Sequence, residues 1–233
     1  MKIGIIGAMK MEVDALKNIM DNAKIETYST VDYYSGVIEN IDVVVAVAGV
    51  GKVNAAVCTQ TMILKYAPDM IINIGVAGGL DKEFNIGDIA VATSVVEHDM
   101  DTSPIGDEVG FISGLNMINI ECDETIINAM YNAVNCIDKI KAKKGVIASG
   151  DQFIATDEAR NKIVDNFNAI AAEMEGASVG HVCKMNNVPF GVMRAISDGA
   201  NDDAQMDYPT FAKMAAENSV KITVEMLKNI QGE

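Results

Sequence analysis

The stretch KIGIIGAMKMEVDALKNIM, residues 2–20, decides the fold class. Residues 2–6 form a short apolar run of the kind that makes a buried strand. Gly7 and Ala8 turn it into a segment where Met11, Ala15, Leu16, Ile19 and Met20 recur at helical spacing. Strand, turn and helix then alternate downstream. Residues 33–38 and 41–48, parted by Glu39 and Asn40, read as a hairpin, and residues 43–47 are apolar throughout, as in a strand covered on both faces. A helix over 53–65 stops before Pro68, and a strand over 70–74 runs into Gly75-Val76-Ala77-Gly78-Gly79. Further strands are expected at 89–96, 143–148, 169–172 and 190–196. Helices are expected from the N-cap Asp123 to Cys136, at 156–167 and 176–185, and from about Tyr208 onward. Residues 99–116, without a clear period, read as a long functional loop. This pattern predicts one α/β domain over residues 1–233, a mixed twisted β-sheet covered by helices on both sides.

The chain has 233 residues, 49% of them hydrophobic, enough to bury a substantial core. Lys and Arg number 18 against 33 Asp and Glu, so the formal charge of −15 repels a phosphate backbone and argues against nucleic acid as partner. No apolar run approaches the roughly 20 residues that span a bilayer. The N-terminus runs straight into a strand-like segment rather than a signal peptide, so a cytoplasmic protein with no membrane partner is expected. Cys58, Cys122, Cys136 and Cys183 form no Cys-x-x-Cys pair and read as structural thiols. With only His98 and His181 as histidines, neither a metal nor a cofactor is expected.

In such folds the site lies beyond the strand ends. Three carboxylates, Glu12, Glu175 and Asp198, each follow an apolar strand within a few residues, and no basic cluster accompanies them. Singly, each has an ordinary reading as a solvated loop carboxylate or a helix N-terminal residue. Together they supply what cleavage of an N-glycosidic bond requires: a proton for the leaving base, a base for water, and negative charge near a cationic ribosyl transition state. The acid must stay protonated. An ordinary aspartic acid with pKa about 3.9 is protonated only about once in a thousand at pH 7, so its use as an acid costs on the order of 4 kcal/mol unless its surroundings raise that pKa. Asp198 is the best placed, because a buried strand feeds it and Gly199 and Ala200 leave its far side apolar.

Four segments now carry a resemblance that extends in order over essentially the whole chain. They are Lys2-Ile3-Gly4-Ile5-Ile6-Gly7-Ala8-Met9 followed by Glu12, Ser149-Gly150-Asp151-Gln152-Phe153-Ile154, Ala172-Glu173-Met174-Glu175-Gly176-Ala177, and Arg194-Ala195-Ile196-Ser197-Asp198. The chain resembles the 5′-methylthioadenosine/S-adenosylhomocysteine nucleosidases, of nucleoside phosphorylase-like fold. The resemblance implies that Glu12 activates the water attacking C1′, that Asp198 protonates adenine N7 with Ser197 holding its carboxyl, and that Glu175 binds the ribose hydroxyls. It also implies that Phe153 stacks on adenine, that the backbone of Ile154 reads the base edge, and that Met174 lies against the sugar, with Glu173 among the binding residues. Tyr208 would close the 5′ pocket, and Met9 and Val50 would line it. For Phe153 and Met174 the alternative is core packing, and Arg194 can be a buried partner of Glu12 or Glu175. The resemblance further implies a homodimer in which the 99–116 loop borders the partner's pocket. Three positions depart from the family pattern: Val76 replaces a common serine beside the sugar, Ile105 stands where an aromatic side chain often reaches the partner subunit, and Met11 replaces a common acidic residue.

Gly49-Val50-Gly51-Lys52 lacks phosphate-loop spacing, and Gly4-Ile5-Ile6-Gly7 lacks that of a dinucleotide turn, so these glycines are read as letting backbone approach the nucleoside. A purine nucleoside phosphorylase is the rival reading. Glu12 and Asp14 in the first loop oppose a phosphate anion, which favours water. A non-catalytic nucleoside-binding protein is the second rival, and it has no need of Glu12 and Asp198.

Overall fold

The computed structural model describes residues 1–137, 139–201 and 203–230, with the backbone alone at Gln205 and Met206. Strand β1 (Lys2–Gly7) leads into α1 (Lys10–Asn18), followed by β2 (Asp21–Tyr28), β3 (Val31–Ile38), β4 (Ile41–Val47) and α2 (Lys52–Tyr66). Next come β5 (Met70–Gly79), β6 (Ile89–Glu97), β7 (Ile120–Glu121), α3 (Glu124–Asn135), β8 (Ala142–Ser149), α4 (Asp157–Phe167), β9 (Ala169–Glu173), α5 (Gly176–Asn186), β10 (Phe190–Asp198) and α6 (Ala204–Asn229). One mixed sheet joins the strands in the order β10-β6-β8-β9-β5-β1-β4-β3-β2, with β7 added on β6.

Strand β5 organises this sheet. Along one edge its first half pairs in parallel with β1, Ile3 opposite Met70, and its last residues pair antiparallel with β9, Gly78 opposite Ala172. Along the other edge it pairs with β10, which also bonds β6. The ring β5-β10-β6-β8-β9 therefore closes on itself, while β1, β4, β3 and β2 continue as an open wing. Closure brings the C-terminal ends of β5 and β9 together from opposite directions, and the chain leaves both at one place. Helices α1 and α3 each pack on α6, α2 packs on α5, and the core is built from β-branched strand residues such as Ile3, Ile5, Val45, Ile72, Val91 and Val192.

The residue pattern explains most boundaries and also the misses. Glu39 and Asn40 both have positive φ, 49° and 62°, the twisted two-residue turn expected between β3 and β4. Ser29 and Thr30 make the same turn, φ 48° and 66°, so a strand the periodicity does not announce, β2, precedes β3. Its sequence DNAKIETY is polar and its residues are exposed, so no apolar alternation marks it. Helix α1 ends at Asn18; of the residues at helical spacing Leu16 and Met20 are buried while Met11, Ala15 and Ile19 are exposed, and the buried face of α1 is Glu12, Val13 and Leu16. The glycines of 75–79 belong to β5 rather than to a loop. Helix α6 starts four residues before Tyr208 and carries Pro209 in its second turn, where the ring removes one N–H from the helix ladder. Cys58, Cys122 and Cys183 are buried, but Cys136 is exposed just past α3, so only three thiols belong to the interior.

Asp123 caps α3 as expected, accepting from the backbone N–H groups of Thr125 at 3.0 Å and Ile126 at 3.2 Å. Asp123→Ala should lower stability by about 1 kcal/mol, read as a fall in urea midpoint at unchanged slope.

Candidate active site

At the meeting of β5 and β9 lies a cavity lined by residues of β5, β9 and β10 and by the segments that start α1 and α5. Glu12, Glu175 and Asp198 all line it, although they come from α1, the start of α5 and the end of β10.

Glu12 is the third residue of α1, and its Oε2 accepts the N–H of the N-cap residue Met9 at 2.8 Å, half of a capping box. Its Oε1 accepts the N–H of Val76 at 3.2 Å, which draws the carboxyl over β5. Gly75 makes room there, since a Cβ at that position would lie 2.6 Å from Glu12 Oε1. Burial raises the Glu12 pKa, against the pull of Arg194 and the backbone N–H groups.

Glu175 precedes α5 and accepts the N–H of Gly51 at 2.8 Å. Burial, and then the charge of Glu173, push its pKa up to about 7, against the Arg194 guanidinium and the Gly51 N–H. Arg194 itself is buried and does not line the cavity. Its Nε donates to Glu173 Oε2 at 3.1 Å, its Nη2 pairs with the same oxygen and donates to Asn73 Oδ1 at 2.5 Å, and Glu175 Oε2 stands 3.9 Å away. The expected pairing with an acidic neighbour holds, with Glu175 at the outer edge of ion-pair distance and Glu173 as the closer partner. Glu173 also receives the hydroxyl of Ser149 and the N–H groups of Glu175 and Gly176, so its edge of the cavity is a fixed structural acceptor. Sequence reasoning missed Ser149 and Asn73; the signal for Asn73 was a lone amide inside the apolar run 70–74.

Asp198 closes the opposite wall. Ser197 Oγ donates to its Oδ2 at 2.9 Å and the Ala200 N–H to its Oδ1 at 2.9 Å. Burial raises its pKa, those two donors oppose the rise, and the charge of Asp207 adds to it. The far side of Asp198 is not apolar, as Gly199 and Ala200 suggested: it borders a second, polar cavity that also holds Asp81, Asp157, Arg160 and Asp207.

Met9, Val50, Val76, Phe153, Met174, Ser197 and Tyr208 also line the main cavity. Phe153 is 49% exposed and meets Tyr208 edge to face at 5.5 Å, while the Tyr208 hydroxyl donates to Met9 Sδ at 3.3 Å. Aromatic and thioether groups thus frame the mouth, and Phe153 is not a core residue. Ile154 does not line the main cavity; its side chain packs into the smaller apolar cluster with Val96, Ala148 and Ala172. Ile105 is 82% exposed, in a 3-10 turn outside the cavity. The glycines of 4–7 and 49–51 make room for side chains or turn backbone toward them: Gly4 faces Met62 and Ile71, Gly7 faces Val13 and Glu12, and Gly51 turns its N–H to Glu175. Among the described residues no His, Cys, Asp and Glu side chains group as a metal site.

A family model of the phosphorylase superfamily matches residues 2–228. The chain is 38% identical over 231 residues to the 5′-methylthioadenosine/S-adenosylhomocysteine nucleosidase of Shewanella loihica, covering 99% of this chain and 100% of that one. It is 41% identical over 226 residues to the nucleosidase of the same name from Staphylococcus aureus, covering 97% and 98%. The crystal structure of the Neisseria meningitidis nucleosidase in complex with methylthio-immucillin-A superposes with a TM-score of 0.95 at 34% identity, covering 98% of this chain and 99% of that one. By full-length sequence and by fold, the chain belongs to the 5′-methylthioadenosine/S-adenosylhomocysteine nucleosidase family of the phosphorylase superfamily.

Proposed function

We propose that the chain, working as one domain, hydrolyses the N-glycosidic bond of 5′-methylthioadenosine and S-adenosylhomocysteine, releasing adenine and the 5′-thio-substituted ribose. The observation that carries the roles is that Glu12 and Asp198, two buried carboxyls with raised pKa, line one cavity whose mouth is framed by Phe153. Asp198 gives its proton to N7 of adenine, which Phe153 stacks and the Ile154 backbone reads. As C1′–N9 breaks, the ring carbon gains positive charge, and Glu175 holds the ribose hydroxyls beside it while Met174 packs on the sugar. Glu12 accepts a proton from water as the oxygen bonds to C1′. Met9, Val50 and Tyr208 give the 5′ substituent an apolar mouth that suits a thioether.

Water is favoured over phosphate because a phosphate dianion needs unspent positive charge. The buried cation beside the cavity, Arg194, is already bound by Glu173, and Val76 offers no hydroxyl. Phosphate-free enzyme should release adenine at full rate, and Asp198→Asn should lower kcat by about 100-fold or more. Adenine release that requires phosphate and yields the ribose 1-phosphate would overturn the hydrolase reading, and a near-normal rate for Asp198→Asn would remove it as the acid.

The protonation pattern also reaches stability. A Glu175 pKa of about 7 in the folded chain, against an ordinary value near 4.5, means that the folded state keeps a proton that the unfolded state has lost between those pH values. Its contribution is therefore present at low pH and disappears as pH rises through about 7. Between pH 5 and 7 the ligand-free protein should lose roughly 2–3 kcal/mol more than Glu175→Gln, measured by urea unfolding.

We further take the enzyme to be a cytoplasmic homodimer. Three buried free thiols, Cys58, Cys122 and Cys183, suit a reducing compartment. On α2, Val53, Val57 and Leu64 fall within one stripe of the helix and are 73%, 42% and 73% exposed, an apolar face that a second copy would cover. Sedimentation should give a dimer, and Leu64→Glu should shift it toward monomer; a fully active wild-type monomer would contradict the assembly.

A further inference from the structure

Beside the cavity, and touching none of it, a single lysine is held at every polar group it owns. Lys52 is the first residue of α2. Its N–H donates to Asp151 Oδ1 at 2.7 Å, its C=O accepts from Ser178 Oγ at 2.7 Å, and its Nζ donates to Glu97 Oε2 at 3.1 Å and Asp99 Oδ1 at 2.6 Å. Asp99 uses its other oxygen to accept the N–H of Asp151 at 2.9 Å, and Glu97 uses its own for His181 Nδ1 at 2.8 Å. Four segments of the chain thus meet at one residue: the start of α2, the end of β6 with the residues after it, the loop after β8, and α5.

Two of these segments carry the substrate pocket. Gly51, the residue before Lys52, sits at φ 99° and gives its N–H to Glu175. Asp151, two residues before Phe153, is held from both sides, its carboxylate by the Lys52 N–H and its own N–H by Asp99. Glu97, Asp99 and Asp151 are all acidic, so without the ammonium this junction becomes a cluster of like charges and opens. Burial works against the charge of Lys52, but its bonds to Asp99 and Glu97 raise its pKa, and both carboxylates are lowered, so the pair is ionised at neutral pH.

We propose that Lys52 is a positioning residue: through Gly51 and Asp151 it sets the ribose-binding carboxylate and the adenine-stacking loop in register without touching the substrate. The inference rests on the nucleosidase reading for its kinetic consequences, but its effect on adenine binding does not.

The test compares Lys52→Met, Lys52→Arg and Asp99→Asn in the full chain, with adenine affinity by calorimetry and the kinetics of methylthioadenosine cleavage across pH. Lys52→Met should weaken adenine and raise KM by about tenfold, with a smaller fall in kcat, and Lys52→Arg should restore most of both. The groups facing Glu175 are Glu173, Arg194, Glu12 and the Gly51 N–H. A loosened Gly51 N–H favours the protonated acid, so the acid limb of kcat/KM should move to higher pH in Lys52→Met. If kcat falls in proportion to folded protein while KM, the pH limb and adenine affinity stay at wild-type values, Lys52 is merely structural and the proposal fails. Should Lys52→Met not fold, Asp99→Asn decides: wild-type adenine affinity and KM there overturn the clamp. A wild-type protein that binds adenine, loses that affinity in Lys52→Met, but cleaves no nucleoside would keep the clamp and sink the nucleosidase reading instead.

Discussion

Much of the site depends on the contact between Arg194 and Glu173 beneath the cavity floor. Both groups are buried, and each is satisfied: the guanidinium by Glu173, Asn73 and the Met193 carbonyl, the carboxylate by Arg194, Ser149 and two N–H groups at the start of α5. Removing one member of such a pair leaves an uncompensated charge that typically costs about 3–5 kcal/mol. The contact also joins β9 to β10, and through Asn73, whose amide donates to the Ile6 carbonyl at 2.8 Å, it reaches β5 and β1. The ring of strands is therefore fastened by the same group that sets the charge of the pocket.

That charge has a definite layout. Arg194 faces Glu173, Glu175 and Glu12, so one cation stands against three carboxylates, and burial is free to push Glu12 and Glu175 upward. Asp198 lies outside this group; its pKa rises by burial and by Asp207, with no cation drawing it down. A wall with an excess of acids and no spare cation suits a developing positive charge on a sugar and repels an anionic nucleophile. In the proposed mechanism the same wall both stabilises the transition state and selects water.

The sequence carried the fold further than it carried the support of the site. β-branched runs and helical periods located most elements because burial on one or both faces forces those patterns, whereas β2, polar and exposed, left no trace. Glu12, Glu175 and Asp198 were legible because each carboxylate directly follows an apolar strand or turn. The partner of Arg194 was not, because Glu173 lies 21 positions away and only the register of β9 beside β5 decides which of several acids reaches the guanidinium. Lys52 was hidden for the same reason, its acidic partners lying 45 and 47 positions downstream.

The glycine run of β5 converts strand geometry into chemistry. A Cβ at Gly75 would stand 2.6 Å from Glu12 Oε1, and one at Gly78 would stand 2.8 Å from Asp198 Oδ1 and 2.7 Å from Ala200. Each carboxyl thus rests against bare backbone of one strand, at positions three residues apart along it. A side chain at either glycine would meet the carboxyl beside it, so the bare backbone of β5 is what leaves room for both.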